Sequence, residues 1–592
     1  MLVTLRTVGL AAFFGILTTA AAPPKGPLVP HREKPKVAAQ IPPAPVARGK
    51  KGVVVSAHAD ASRAGVEILD RGGNALDAAV ATAYALAVVE PFSAGVGGGG
   101  FLLYFDAKTK KVTVVDYREV APRAADRDMY LVNGEVDPKL SLDGILAVAV
   151  PGMVPGLAAA QKKLGRLKLS KVLDPAIRLA ADGFLVSPRF HEASVYRLDT
   201  LRADAEATRV FLKDGQPYPV GERLVQKDLA KALRAVKRNG PRVFTHGWVA
   251  KAIAKTSKDK GGRLVLDDLK SFRTRFREPL VGTFRDHTVY TMPPPSSGGT
   301  HLLQMLSMLD IDRERRESRT SVDVRHAQIE IMRRAYADRA VFMGDPAFVD
   351  IPLKGLLARD YAERRYATID WKKATPSKAV SAGKPNGVEA PKVTSTPRES
   401  NDTTHLTVID KWGNVVALTQ TVNYGFGSGV VVPGTGVLLN DEMDDFSAKP
   451  GVPNVFGLVG GEANAIQPGK IPLSSMTPTI VVKDGAVRLA AGSPGGSTII
   501  TTVLQVILNV LDRDMTVAEA VAAPRIHMQW LPDVTRFEPG ALTDAERAEL
   551  EKRGFALKPR AGWGNATAIE VLPDGTRIGA ADPRGDGGGD AQ

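Results

Sequence analysis

Glu399-Ser-Asn-Asp402-Thr403-Thr404-His-Leu-Thr-Val-Ile-Asp410 joins a polar run to an alternating apolar strand, with a threonine pair at the junction. Val415 to Val422 alternates in the same way beyond Lys411-Trp-Gly-Asn414, so the two segments read as an antiparallel hairpin. Lys373 to Asp402, just upstream, is polar and carries Pro376, Pro385, Pro391 and Pro397. A surface loop of that length in a compact domain points to function or processing. Our reading is that the chain cuts itself before Thr403, and that the rest of the chain builds a pocket around this residue.

An N-terminal threonine brings its own base. The hydroxyl is the nucleophile, and the freed α-amine accepts its proton. That amine titrates near about 7.7–8.0, close to working pH, where a lysine does not. The β-methyl restricts χ1 and helps to aim the hydroxyl. Taken alone, Thr-Thr at a strand start is an ordinary structural feature. Three features of context favour chemistry. A long loop precedes the pair, so a cut end can swing clear. Thr421 lies on the partner strand, where its hydroxyl can meet that of Thr403. Gly492-Ser-Pro-Gly495-Gly496-Ser497 precedes an apolar helix, Thr498 to Leu511, whose first N–H groups suit a developing oxyanion.

The 592 residues are 44% apolar and 24% charged, enough for a sizeable core. There is no cysteine, which excludes disulfides, thiolate metal sites and thiol nucleophiles. The formal charge of +14 is spread along the chain without an aromatic–basic reading module, so it reads as a solvated surface and not as a nucleic-acid site. No H-E-x-x-H spacing occurs, and neither a metal nor a cofactor is expected. Residues 1–22 have a secretory signal layout: Arg6, the apolar run Val8 to Leu17, then Thr18-Thr-Ala-Ala-Ala22. The apolar run is short for a bilayer span, so no stable membrane anchor and a periplasmic location are expected. Residues 23–51, rich in Pro, Ala and basic side chains, read as an extended linker.

Folding is expected to begin with a buried strand, Gly52 to Ser56. Helices follow at Ala59 to Asp70 and Ala75 to Val89, the second apolar almost all round. Gly95, Gly97 and Gly100 satisfy G-x-G-x-x-G, but they follow a helix and open a strand, Phe101 to Asp106. A dinucleotide loop has the reverse order, so close backbone packing is the better reading. Val112 to Tyr117 reads as a pairing strand with Arg118 just past its end. The middle of the chain is mainly helical, with helices at Leu229 to Arg238 and Val322 to Met343. Further strands are expected at Gly436 to Leu439, Thr479 to Val482 and Val487 to Ala490. Thr543-Asp-Ala-Glu546 is a capping box.

Asp402-Thr-Thr-His405, Thr421-Val-Asn423, Glu442-Met-Asp-Asp445-Phe-Ser, Pro472-Leu-Ser474-Ser475-Met and Gly492-Ser-Pro-Gly-Gly together resemble γ-glutamyltransferase, also called glutathione hydrolase. So do Pro91 to Phe101, Asp116-Tyr-Arg118-Glu, Pro293 to Gly299 and Gly579-Ala-Ala-Asp-Pro-Arg584, in order over roughly residues 52–585. The resemblance implies an α+β fold, a four-layer αββα N-terminal-nucleophile hydrolase sandwich built from two chains of one precursor. Residues 52–402 would form the large chain and 403–592 the small one, paired as a heterodimer. It implies Thr403 as nucleophile, Thr421 as its partner, and Gly495 and Gly496 at the oxyanion hole. Arg118, Ser474 and Ser475 would hold the glutamyl α-carboxylate, and Asn423, Glu442 and Asp445 the α-ammonium. A zwitterionic head does need a cationic fork on one side and carboxylates on the other. Ser474-Ser475 lacks a G-x-S-x-G elbow and is assigned to binding. Glutathione and other γ-glutamyl compounds would be the donors, and water, amino acids or peptides the acceptors. Pro450 to Gly461 resembles a pocket lid, with Phe456 where members with this lid often carry tyrosine. A glutaryl-cephalosporin acylase on the same fold is the alternative. Glutaryl has no ammonium, which would leave Glu442 and Asp445 without a partner. A secreted binding protein that never cleaves is a third reading, whose sign would be an intact mature chain.

Overall fold

Strand alternation builds two sheets, and the predicted hairpin lies at the centre of one of them. The computed structural model describes residues 41–316, 318–387, 402–449 and 461–592. Its strands are β1 (Val46–Gly49), β2 (Val53–Ser56), β3 (Gly99–Asp106), β4 (Lys111–Asp116), β5 (Arg275–Arg277), β6 (Leu280–Phe284), β7 (His287–Thr291), β8 (Thr404–Ile409), β9 (Val415–Thr421), β10 (Thr479–Lys483), β11 (Ala486–Gly492), β12 (Thr567–Val571), β13 (Arg577–Ala581) and β14 (Gly588–Ala591). One seven-stranded sheet runs β5-β4-β3-β9-β8-β2-β14 and the other β1-β13-β12-β11-β10-β7-β6. The remaining short strands form small separate ribbons.

The period of two sorts side chains between two cores. Val54, Leu102, Leu406, Val408, Val416 and Leu418 leave the first sheet on the side of α1 (Ala59–Asp70) and α2 (Ala75–Val89). Val53, Val55, Phe101, Leu103, Phe105 and Ala417 leave on the other side and meet Ile480, Val481 and Leu489 of the second sheet. That second core continues to α3 (Gly298–Arg315), α4 (Ser321–Phe342) and α5 (Thr498–Leu511). The layers are therefore helix, sheet, sheet, helix. Every residue of α2 is buried, as its all-round apolar pattern predicts, and the helix starts at a capping box between Asn74 and Asp77.

Three expectations need revision. The end of the stretch read as linker is ordered: β1 pairs with β13, Val46 opposite Ala580, and Ala47 is buried. Only Val46 and Ala47 are apolar there, so no pattern announced it. The polar loop is not loose over its first half. Ser377 donates its N–H to Asp533 (2.7 Å), and Trp530 Nε1 donates to the carbonyls of Ser377 and Val380 (both 2.9 Å). The strand expected from Gly436 shrinks to Val437–Leu438, which pairs with Val431–Val432 outside both sheets. The signal segment, residues 388–401 and the lid with Phe456 lie outside the described residues. Among the described residues, no helix is long and apolar enough to cross a membrane.

Candidate active site

The hairpin register sets the centre of the site. Thr404 pairs with Gln420, so Thr403 and Thr421 come opposite each other at the open end of β8 and β9. Thr403 Oγ1 lies 3.4 Å from Thr421 Oγ1 and donates to the Asp402 carbonyl at 2.6 Å. Thr421 Oγ1 reaches the same carbonyl at 3.3 Å and accepts the Asn423 N–H at 2.8 Å. Two hydroxyls thus converge on the peptide bond before Thr403.

The glycine run places this end of the sheet. A Cβ on Gly98 would lie 2.0 Å from the Thr421 carbonyl oxygen, and one on Gly97 2.1 Å from that of Leu438. A Cβ on Gly99 would meet Glu119 Oε2 at 2.5 Å. Close backbone approach, not phosphate binding, is what these glycines permit.

A narrow cleft opens beside Thr403. Arg118, Thr403, Thr421, Asn423, Glu442, Asp445, Ser474, Ser475 and Gly496 line it, so the structure gathers every candidate except Gly495, the neighbour of Gly496. Gly495 and Gly496 take φ of +130° and +54° just before α5, a backbone path that favours glycine, most strongly at Gly495.

Arg118 is buried and is already engaged. It bonds Glu442 through one terminal nitrogen and Asp445 through the other, with Glu119 at 3.7 Å. The cationic and anionic poles expected to stand apart are therefore in contact with each other. Burial works against the charge of Arg118, but Glu442, Asp445 and Glu119 outweigh it and hold the guanidinium above its ordinary value. Burial in turn raises all three carboxyls, Glu119 to about 7. One guanidinium cannot compensate three ionised carboxylates in so dry a place.

Sequence reading missed several supports. Arg339 of α4 lines the cleft and donates to the hydroxyls of Ser297 (2.9 Å) and Ser475 (3.1 Å). Among the described residues no carboxylate stands within ion-pair distance of it, and burial lowers it to about 10. Its position in a helix with basic residues on several sides gave no signal. Asn440 spends its whole amide on ties: it donates to Gly97 (2.7 Å) and Ala149 (3.0 Å) carbonyls and accepts from the Ala149 and Glu442 N–H groups (both 3.0 Å). It thereby joins the glycine run to the Glu442–Asp445 turn. The Pro293 to Gly299 stretch clamps the serines, since Ser297 N–H and Oγ both donate to the Ser474 carbonyl at 2.8 Å.

Glu90 is a further buried acid near the junction. Its Oε2 accepts the Thr404 hydroxyl at 2.8 Å. Burial raises it from 4.5 to about 7, with Arg189 and Thr404 opposing. A raised acid stabilises the fold below its unfolded pKa, and that contribution is lost as pH rises from about 4.5 through 7. Glu90→Gln keeps the neutral hydrogen-bonding shape, so its melting temperature relative to wild type should climb between pH 4.5 and 7 and then level off. The gain should be a few kcal/mol at most, since one pKa unit is about 1.4 kcal/mol. Thermal melts across that range check it.

The chain resembles known proteins along most of its length. The profile of the family described as "Gamma-glutamyltranspeptidase" matches residues 61–591. The chain is 44% identical to the "Glutathione hydrolase proenzyme" of Escherichia coli (strain K12), over 98% of this chain and 97% of that protein. Among solved structures, a cephalosporin acylase from Bacillus halodurans superposes with a TM-score of 0.79 at 27% identity, covering 95% of this chain and 99% of that one. Helicobacter pylori gamma-glutamyltranspeptidase superposes with a TM-score of 0.54 at 41% identity, covering 55% of this chain and 94% of that one. The sandwich is thus the N-terminal-nucleophile hydrolase fold, and the chain belongs to the gamma-glutamyltranspeptidase family.

Proposed function

We propose that the chain matures by cleavage between Asp402 and Thr403, and that Thr403 then carries out γ-glutamyl transfer and hydrolysis on glutathione and related γ-glutamyl compounds. The observation that carries this reading is the meeting of a threonine hydroxyl, the carbonyl before it and a charged head-group cluster in one cleft. In maturation, Thr403 Oγ1 adds to the Asp402 carbonyl carbon and the C–N bond breaks, leaving an ester. That break passes the hydroxyl proton to the Thr403 nitrogen and frees the α-amine, and water then cleaves the ester C–Oγ1 bond to release the Asp402 carboxylate and restore the Thr403 hydroxyl. In turnover, that amine takes the Oγ1 proton as Oγ1 bonds the γ-carbonyl. The proton passes to the leaving amine as the amide C–N bond breaks. Water or an acceptor amine consumes the γ-glutamyl ester.

Gly495 and Gly496 supply N–H groups toward the developing oxyanion, and Thr421 supports the nucleophile. The substrate head enters the Arg118 cluster. Its ammonium takes a share of Glu442 and Asp445, with Asn423 beside them. Its carboxylate meets Arg118, Ser474 and Ser475, with Arg339 behind Ser475. The large and small chains, 52–402 and 403–592, work as one unit after export.

The acylase reading has a solved neighbour in its favour, yet it leaves Glu442 and Asp445 to desolvate without an ammonium. Purified enzyme should cleave γ-glutamyl-p-nitroanilide about 100-fold or more faster than glutaryl-p-nitroanilide, because a site built for a polar group rejects the analogue that lacks it. Faster glutaryl cleavage would sink the γ-glutamyl assignment.

A further inference from the structure

Arg339 is buried, lines the cleft, and has no carboxylate within ion-pair distance among the described residues. A buried guanidinium without a counter-ion is costly unless a ligand brings one. Its bonds go to two hydroxyls: Nε donates to Ser297 Oγ (2.9 Å), and a terminal nitrogen donates to Ser475 Oγ (3.1 Å). A guanidinium only donates, so both oxygens accept, and each serine keeps its own proton to give. Ser297 gives its proton to the Ser474 carbonyl at 2.8 Å, and its N–H bonds the same oxygen. Ser474 Oγ in turn accepts the Met476 N–H at 3.0 Å. Among the described residues, neither the Ser474 nor the Ser475 hydroxyl proton has an acceptor. Two buried hydroxyls on the cleft wall are thus fixed by donors, with their protons left for an anion.

The Arg118 cluster is the opposite case. One guanidinium there faces Glu442, Asp445 and Glu119, so it has little positive charge to spare until an ammonium takes over part of the carboxylates. Arg339 and Asp445 act on each other electrostatically, beyond ion-pair distance, and mark two unlike poles of the cleft. We propose that Arg339 is a positioning residue for γ-glutamyl donors: it holds Ser475 directly, and Ser474 through Ser297, as hydrogen-bond donors to the α-carboxylate, and it supplies the uncompensated positive charge which that carboxylate meets. The ligand class follows from the chemistry. It is γ-amides of glutamate whose α-carboxyl is free. A donor with that carboxyl amidated, or built into a peptide bond, brings no charge to Arg339 and only one acceptor oxygen to two serine protons. Such donors are rejected.

This role rests on the γ-glutamyl chemistry proposed above, and the test separates the two. Mature enzyme is given γ-glutamyl-p-nitroanilide, or the same donor with its α-carboxyl converted to the primary amide. Wild type should favour the acid by about 100-fold in kcat/KM. Arg339→Gln should bring that preference to within a few-fold: the KM for the acid rises by about 30-fold, while kcat and the kinetics of the amide change little. Arg339→Lys keeps the charge without the fork and should recover a preference of about 10-fold. In a Ser475→Ala background, where one of the two hydroxyls is already gone, Arg339→Gln should cost the acid less than it does in wild type. A merely structural role would slow both donors equally. That result, equal use of the two donors by wild type, or a preference that Arg339→Gln keeps, overturns the proposal. If Arg339→Gln does not mature, Arg339→Lys and Ser475→Ala decide, and a wild-type preference in both overturns it. A wild type that cleaves neither donor overturns the γ-glutamyl reading itself, and this role with it.

Discussion

Thr403→Ala should yield one uncut chain with γ-glutamyl activity below about one ten-thousandth of wild type. The variant loses the Oγ1 that lies 2.6 Å from the Asp402 carbonyl oxygen and 3.4 Å from Thr421 Oγ1. Both losses follow from one atom. Without Oγ1 the peptide bond has no attacking group, so no α-amine is freed; without the amine no base exists for turnover. Thr421 does not replace it, because its hydroxyl is committed to the Asn423 N–H and faces the same carbonyl from the neighbouring strand. Intact mass and a denaturing gel decide the matter. Wild type should show two pieces divided at Asp402–Thr403, and the variant one. Two pieces from Thr403→Ala would refute self-cleavage by this residue. Thr403→Ser keeps the oxygen but loses the methyl that limits χ1, so it should still mature, more slowly.

The second large effect is expected at Arg118. Arg118→Leu leaves Glu442 and Asp445 without their shared cation in a buried place. Removing one partner of such a cluster costs about 3–5 kcal/mol. In the proposed binding mode the same change takes the fork from the substrate carboxylate, and kcat/KM for γ-glutamyl donors should fall by about 1,000-fold, or roughly 4 kcal/mol. Stability and recognition can be separated. Combining Arg118→Leu with Glu442→Gln and Asp445→Asn removes the stranded charges and should restore most of the melting temperature while activity stays lost. Recovery of activity in the triple variant would show that Arg118 only balances charge. Arg118→Lys is not a mild change, since one ammonium cannot span two carboxylates in the way a fork does.

The parts that could be read from sequence were those with a period or a local chemical signature. α1 and α2 fall where apolar periodicity and the Gly-Gly-Asn break place them, and β8 and β9 where alternation does. The Thr543 capping box opens its helix as expected. Residues scattered from Arg118 to Gly496 were gathered by motif resemblance, and the cleft brings them together. What remained hidden depends on tertiary contact alone. β1 is four residues with one buried side chain and exists because β13 offers an edge. Arg339 looks like any basic helical residue until α4 is packed against Ser297 and Ser475. The closure of Arg118 onto Glu442 and Asp445 joins residues more than three hundred positions apart, and no local pattern encodes that distance.

The order of strands in the two sheets has a consequence for the life history of the molecule. In the first sheet, β9 and β8, from beyond the proposed cut, are inserted between β3 and β2, from before it. In the second, β10 to β13 lie between β7 and β1. Before cleavage all of these pairings form within one chain. After the proposed cleavage β3–β9, β8–β2, β2–β14, β10–β7 and β13–β1 would join two molecules, and neither half would retain a complete sheet of its own. Reassembly then becomes a second-order event, governed by concentration where it was once governed by loop closure. Cleavage as proposed would thus spend the covalent memory of the fold: the interleaved halves would persist together by separating slowly, not by readily finding each other again.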